Sequence, residues 1–265
     1  MYDKISLTSI LFLDIECVCG EPSFEEVAPA LQALWAAKAP RIMRVDELSE
    51  EEIAQSYVDK AAIYAEFGKI VCISVGILAG AEGEETIRVK SFADPDERVL
   101  LEDFSQLLKD SGRKLNHFCG HNIKEFDMPY IGRRMLINGM RLHPLLDLRG
   151  KKPWETKHLV DTMDMWSFGD RKNYTSLKLL AALFGVPSPK DDIDGSQVGR
   201  VFWEENDLER IAIYCEKDVV ATTNVFMAMT NRKQISDDRV LLVSRPKEDA
   251  AEADNESDAE AGAEA

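Results

Sequence analysis

The segment that most constrains the fold is Ser9-Ile10-Leu11-Phe12-Leu13-Asp14-Ile15, a short apolar run ending in an acid. That is the pattern of a strand buried on both faces, and such a strand needs a layer of structure on each side of its sheet. The elements after it supply those layers. Residues 69–78 are rich in β-branched side chains, Ala79 to Gly83 reads as a turn, and Glu85 to Phe92 alternates with period two, so the two runs predict a hairpin. Apolar residues at helical spacing (Val99, Leu100, Phe104, Leu107, Leu108) predict a helix from about Asp94 to Asp110, followed by a strand over Lys114 to Cys119. A helix over Glu125 to Asn138 requires Pro129 to lie in its first turn. A strand near Lys157 to Asp161 and helices over Ser176 to Phe184 and Asp207 to Thr230 complete the order. Phe24 to Ala65, helical by composition, reads as an insertion after the first strand. The expectation is an α/β domain over 1–245, with a mixed sheet covered by helices on both faces.

Three short patterns in this frame carry chemistry. Asp14 and Glu16 are two residues apart, so in an extended strand they point to the same side, where burial and mutual repulsion oppose ionisation unless a cation neutralises them; for this pair alone, a strand end emerging into solvent is a sufficient account. Asn122-Ile123-Lys124-Glu125-Phe126-Asp127 follows a predicted strand and opens a helix; for Asp127 alone, stabilisation by the helix dipole is a sufficient role. Tyr214 and Asp218 stand one turn apart on a late helix, an arrangement that also serves as an ordinary hydrogen bond at the core edge.

In this order the three patterns resemble the exonuclease motifs of the DEDD superfamily, in the tyrosine-containing branch found in the proofreading domains of family B DNA polymerases. The stretch from about Ile10 to Met229 is similar to a group of bacterial predicted 3′–5′ exonucleases related to those domains. Residues 67–74, Asp161-Thr162-Met163-Asp164 and Lys190 to Ser196 strengthen that match. The histidine branch places its histidine where this chain has Ile213, so the tyrosine branch applies.

The resemblance implies a ribonuclease H-like fold and a metal-dependent enzyme that removes nucleoside 5′-monophosphates from the 3′ end of single-stranded DNA. It implies that Asp14, Glu16, Asp127 and Asp218 hold two divalent cations, Mg²⁺ or Mn²⁺, and that Tyr214 positions the attacking water. Asn122 would lie near the scissile phosphate, and Asp161 and Thr162 would hold the metal-binding residues in place from behind. The rival readings are a 3′–5′ exoribonuclease, because metal chemistry does not read the 2′-hydroxyl, and a non-catalytic nucleic-acid-binding module on the same fold. The complete acid set argues against the second.

Charge bears on the substrate. The formal net charge is −16, unfavourable for a nucleic-acid partner, but residues 246–265 hold eight acids against Lys247 alone and account for −7 of it. That segment lacks aromatic and β-branched residues and reads as a disordered acidic tail. Arg133, Arg134, Arg141, Arg149, Lys151, Lys152, Trp154 and Lys157 form the one basic stretch interleaved with an aromatic residue; Arg149, Lys151, Lys152 and Trp154 are its candidates for backbone tracking and base stacking. The five cysteines (Cys17, Cys19, Cys72, Cys119, Cys215) show no C-x-x-C pair, and the four histidines (His117, His121, His143, His158) no metal-ligand spacing. The N-terminus has no signal-peptide pattern and no apolar run is long enough to span a bilayer, which predicts a soluble cytoplasmic protein. With no polymerase portion following the exonuclease-like region, the expected alternatives are independent action or activity supplied to a polymerase or repair partner in trans.

Overall fold

The computed structural model describes residues 2–81, 83–112, 114–170, 174–186 and 192–243. The expected tail over 246–265, together with Lys190, Asp191 and the turn residue Glu82, lies outside them.

Strand β1 (Ile10–Cys19) runs through the middle of a six-stranded sheet. It pairs antiparallel with β2 (Gly68–Ala79), which turns back into β3 (Thr86–Ala93) as the predicted hairpin. Between β1 and β2 the chain forms helices α1 (Pro29–Met43) and α2 (Glu50–Lys60), the latter opened by a capping box in which Ser49 and Glu52 satisfy each other's backbone N–H groups. Helix α3 (Glu97–Ser111), β4 (His117–Gly120), α4 (Asp127–Ile137), β5 (Leu159–Asp161) and α5 (Thr162–Ser167) follow. The chain then forms α6 (Leu177–Leu183), α7 (Val198–Arg200) leading into a π-helical turn at Val201–Glu205, α8 (Leu208–Met229) and β6 (Val240–Leu242). The spatial order is β5-β4-β1-β2-β3-β6, with β4 parallel to β1, β5 parallel to β4 and β6 parallel to β3. This is the ribonuclease H-like α/β arrangement expected from the sequence.

Alternation along β1 decides which side chains meet which layer. Leu11, Leu13 and Ile15 join the core formed with α3 and α4, through Leu100, Phe104, Met128, Ile131 and Met135. Ile10 and Phe12 face the opposite layer, where they pack with Val219, Phe226 and Met227 of α8. Asp14 and Glu16 share the parity of Ile10 and Phe12 and therefore lie on the α8 side.

Besides the short helices α5 and α7, which the expectation does not include, two features of the sheet depart from it. β1 continues through Glu16 to Cys19, so the two acids lie within the strand and not at its end. An apolar count alone stops at the first charge, whereas pairing with Ser74 and Cys72 carries the backbone onward. Beyond Glu16 the register shifts: Glu16 lies opposite Cys72 and Cys17 opposite Ile70, so Val71 is the extra residue of a bulge, an irregularity common beside active sites. The second is β6, whose three residues are too few to show a period in sequence.

Candidate active site

Three segments far apart in sequence bring the acids together. β1 contributes Asp14, partly buried, and Glu16, only 7% exposed. The loop after β4 contributes Asp127. Gly120 ends that strand where a Cβ would come within 2.7 Å of the Ile123 side chain, so glycine allows the chain to turn back sharply. Asn122 takes a left-handed conformation (φ 63°), which asparagine tolerates better than most residues. Asp127 then becomes the first residue of α4 and is buried, and Pro129 falls in the first turn as the sequence requires. The third segment is α8, capped by Asp207 accepting from the Arg210 N–H at 3.0 Å, which carries Tyr214 and Asp218 one turn apart.

The carboxyls of Asp14 and Glu16 are both held well above the ordinary carboxylate range, first by burial and then by neighbouring negative charge: Asp127 and Asp218 on Asp14, Asp14 and Asp218 on Glu16. Burial also raises Asp127, to about 7, against the opposing hydrogen bonds from its own backbone and that of Ile15. These cross-influences bring all four acids into one electrostatic cluster. Asp14, Glu16 and Asp127 form no salt bridge with a described residue. The Tyr214 hydroxyl is raised by burial and then by Asp218, Glu16 and Asp14, so it stays protonated at neutral pH.

Cys215 was not singled out as a site residue by the sequence, although it lies between Tyr214 and Asp218. Its thiol is fully buried and points at Asp14, with Sγ 3.4 Å from the backbone oxygen and 3.6 Å from Oδ2. Ligand atoms of Asp14, Glu16 and Cys215 all lie within 4.8 Å of one another. Burial raises the thiol's pKa, so among these donors the carboxylates are the hard oxygen ligands suited to Mg²⁺ or Mn²⁺. Carboxylates that repel one another inside the fold are the donor set a divalent cation fits.

Asp161 is 2% exposed and works as a clamp. Its carboxylate accepts from the N–H groups of Asn122 (3.0 Å) and Lys124 (3.1 Å), fixing the loop before Asp127, and from Met163 (2.9 Å) and Asp164 (3.3 Å), capping α5. Thr162 is buried beside it, its hydroxyl 2.9 Å from His121 Nδ1. Phe126 packs against Tyr130, with ring centroids 5.4 Å apart.

Two clefts flank the acids. One, of about 710 Å³, is lined by Asn122, Lys124, Lys151, Lys152, Asp161 and Tyr174 among others; the second, of about 330 Å³, by Lys178, Asp194, Gln197, Tyr214 and Asp218 among others. Asn122 presents a buried Oδ1 with no hydrogen-bond partner among the described residues. Of the basic stretch, Lys151 and Lys152 reach the first cleft, while Arg149 and Trp154 do not line it. Arg149 is held by Asp147 through two hydrogen bonds of 2.8 and 2.7 Å, and Trp154 is 63% exposed with Lys152 Nζ 5.1 Å from its ring centre. Arg134 is no free surface cation: it is partly buried and paired with Glu97 at 2.6 Å, a role that a list of basic residues cannot separate from substrate binding. Lys124, Lys178 and Tyr174 line the clefts without having stood out, because an isolated lysine or tyrosine has no signature until the fold places it.

Residues 63–242, more than half of the chain, match a family described as predicted 3′-5′ exonucleases related to the exonuclease domain of PolB. The chain belongs to this family. The match includes Asp127, Tyr214 and Asp218, while Asp14 and Glu16 precede it. No curated protein matches the chain. Among 84 matching solved chains is the family B DNA polymerase from the hyperthermophilic archaeon Pyrobaculum calidifontis, at 13% identity and a TM-score of 0.48. That match covers 83% of this chain and 27% of the polymerase. Among the described residues, no helix is long and apolar enough to cross a membrane.

Proposed function

We propose that this family member is a divalent-metal-dependent 3′–5′ exonuclease that hydrolyses the terminal phosphodiester of single-stranded DNA and releases a nucleoside 5′-monophosphate. The observation that carries the reading is the convergence of Asp14, Glu16 and Asp127, held protonated-leaning by burial and by one another, with Asp218 beside them. A fold tolerates such a cluster at a cost in stability, and bound cations remove that cost.

The four carboxylates would hold the metal, which supplies charge stabilisation to the attacking and departing oxygens. Tyr214, kept protonated, hydrogen-bonds the water and sets its line of approach to phosphorus. Water adds to phosphorus as the bond to the 3′ oxygen breaks; one proton passes to that oxygen and the phosphate stays with the released nucleotide. The unpartnered Asn122 Oδ1 is an acceptor for a donor at the strand end, and Lys124, Lys151 and Lys152 line the cleft that would carry the preceding phosphates. Lys124 is paired with Asp164 at 2.6 Å, so Lys151 and Lys152 are the cations of this cleft that have no ion pair among the described residues.

The test is hydrolysis of 5′-labelled single-stranded DNA and of RNA with the same sequence, with Mg²⁺, Mn²⁺ or EDTA. Stepwise shortening of the labelled DNA, with metal only, is the expected result. Preferential shortening of RNA would reassign the substrate, and binding without hydrolysis under any metal would reassign the chain as a binding module.

A further inference from the structure

We propose that Tyr174 is the stacking surface for the 3′-terminal nucleobase, a substrate-positioning role that rests on the exonuclease reading above. Tyr174 is 71% exposed, whereas Tyr57 and Tyr130 are each 1% exposed within the core. Its ring packs on no other ring among the described residues. It lines the 710 Å³ cleft together with Asn122, Asp161 and the lysines Lys124, Lys151 and Lys152. Lys124 is paired with Asp164 at 2.6 Å, and Glu125, Asp161 and Asp170 also line the cleft, so Lys151 and Lys152 are the cations left to take phosphates while the exposed ring takes a base. That combination holds a single strand without reading its sequence.

The backbone on the C-terminal side of this ring is fixed. His121 Nε2 donates to the Thr175 carbonyl oxygen at 2.8 Å, and His121 Nδ1 lies 2.9 Å from the Thr162 hydroxyl, which also reaches the Gly120 carbonyl oxygen at 3.3 Å. Burial lowers the His121 pKa, which favours the neutral ring, against the opposing Thr175 hydrogen bond and Asp161 charge. Ser176 caps α6 by accepting from the Leu179 N–H at 3.3 Å. Because His121 directly precedes Asn122, the same hydrogen bond that anchors residue 175 anchors it to the loop leading to Asp127. The hydroxyl of Tyr174 feels that proximity: after burial, the charges of Asp127, Asp161 and Asp14 raise its pKa. An exposed ring on a tethered backbone loses little freedom when a base settles on it, which makes stacking there effective.

The experiment compares wild type with Tyr174→Ala, Tyr174→Phe and Tyr174→Trp on single-stranded DNA ending in a normal or an abasic 3′ nucleotide. Binding is followed separately by the fluorescence of a 3′-terminal 2-aminopurine, in an Asp14→Ala background that prevents hydrolysis. For Tyr174→Ala we expect KM to rise about 5- to 100-fold, the scale of one base–aromatic stack, with kcat changed much less. Tyr174→Phe and Tyr174→Trp should retain the wild-type KM, the abasic end should erase the difference between wild type and Tyr174→Ala, and 2-aminopurine quenching should disappear with the ring. An unchanged KM in Tyr174→Ala, a defect that persists on the abasic end, or a Tyr174→Phe variant as impaired as Tyr174→Ala overturns the stacking role while leaving the exonuclease intact. A wild-type protein that neither hydrolyses nor binds the normal strand fails the exonuclease reading itself, and the stacking role falls with it.

Discussion

Glu16 and Glu97 are equally buried, each 7% exposed, yet the fold treats them in opposite ways. Glu97, the first residue of α3, receives the Ile70 N–H at 2.7 Å, the Asn138 amide at 2.8 Å and a forked contact from Arg134, with Nη2 at 2.6 Å and Nε at 2.8 Å. Arg134 is itself completed by the Ala65 carbonyl at 2.8 Å. A single network thus joins β2, α3, α4 and the segment before β2 around one neutralised charge. Glu16 has other acids for neighbours, and so does Asp127, which sits at the opposite end of the helix that carries Arg134. One carboxylate is neutralised by a cation of the protein itself; the others have no such cation among the described residues, and in the function proposed above a bound metal would supply it. Complete compensation marks a structural charge; missing compensation marks a site.

The contrast is open to attack from both sides. The largest effect should come from Asp14→Ala, which we expect to reduce hydrolysis by more than about 1,000-fold, as loss of a metal-holding carboxylate does. Circular dichroism should show the fold intact. Near-wild-type hydrolysis in purified Asp14→Ala, with contaminating nuclease excluded, would remove Asp14 from the metal site.

On the structural side, Arg134→Met should destabilise the protein by about 3–5 kcal/mol, because it strands Glu97 inside the fold. Pairing it with Glu97→Gln should recover part of the loss. Urea denaturation of the single and double variants measures this, and a single variant as stable as wild type would show that the network contributes specificity without stability.

Tyr214→Phe should slow the single-turnover rate about 10- to 1,000-fold with Mn²⁺ affinity unchanged, since a phenol that stays protonated positions water and is a poor ligand. Asp218→Ala should instead weaken Mn²⁺ binding. Equal loss of metal affinity in the two variants would merge the roles that we separate.

The smallest effect, and the one that tests the missing compensation most directly, is on metal-free stability. The Asp127 carboxyl is raised from 3.8 to about 7 on folding, so the folded state favours the protonated form. Its contribution is full below about pH 4 and is lost as pH rises towards 7. Asp127→Asn should therefore stabilise the metal-free protein by about 1–3 kcal/mol above pH 7 and by little below pH 4. Added Mn²⁺ should raise the melting temperature of wild type more than that of the variant. A stability difference independent of pH would mean that Asp127 is not strained by its surroundings.

How much of this was legible in advance differs by residue. The parity of Asp14 and Glu16, the one-turn spacing of Tyr214 and Asp218, the hairpin and the position of Pro129 follow from local geometry, because strand period, helix period and proline's fixed φ act within a few residues. The amino-acid sequence by itself therefore determined the order of the main elements and which acids share a side, and the resemblance of its motifs pointed to the family. Tertiary structure alone decided the rest. It carried β1 past its charges by pairing it with β2, added the three-residue β6, turned Asp161 into a clamp on the Asn122 loop, and pointed Cys215 at Asp14. It also separated Arg134, paired with Glu97, from Lys151 and Lys152 in the cleft, and set Tyr174 beside them. Each of these depends on partners distant in the chain, and for such contacts residue type and spacing carry no signal until the backbone closes.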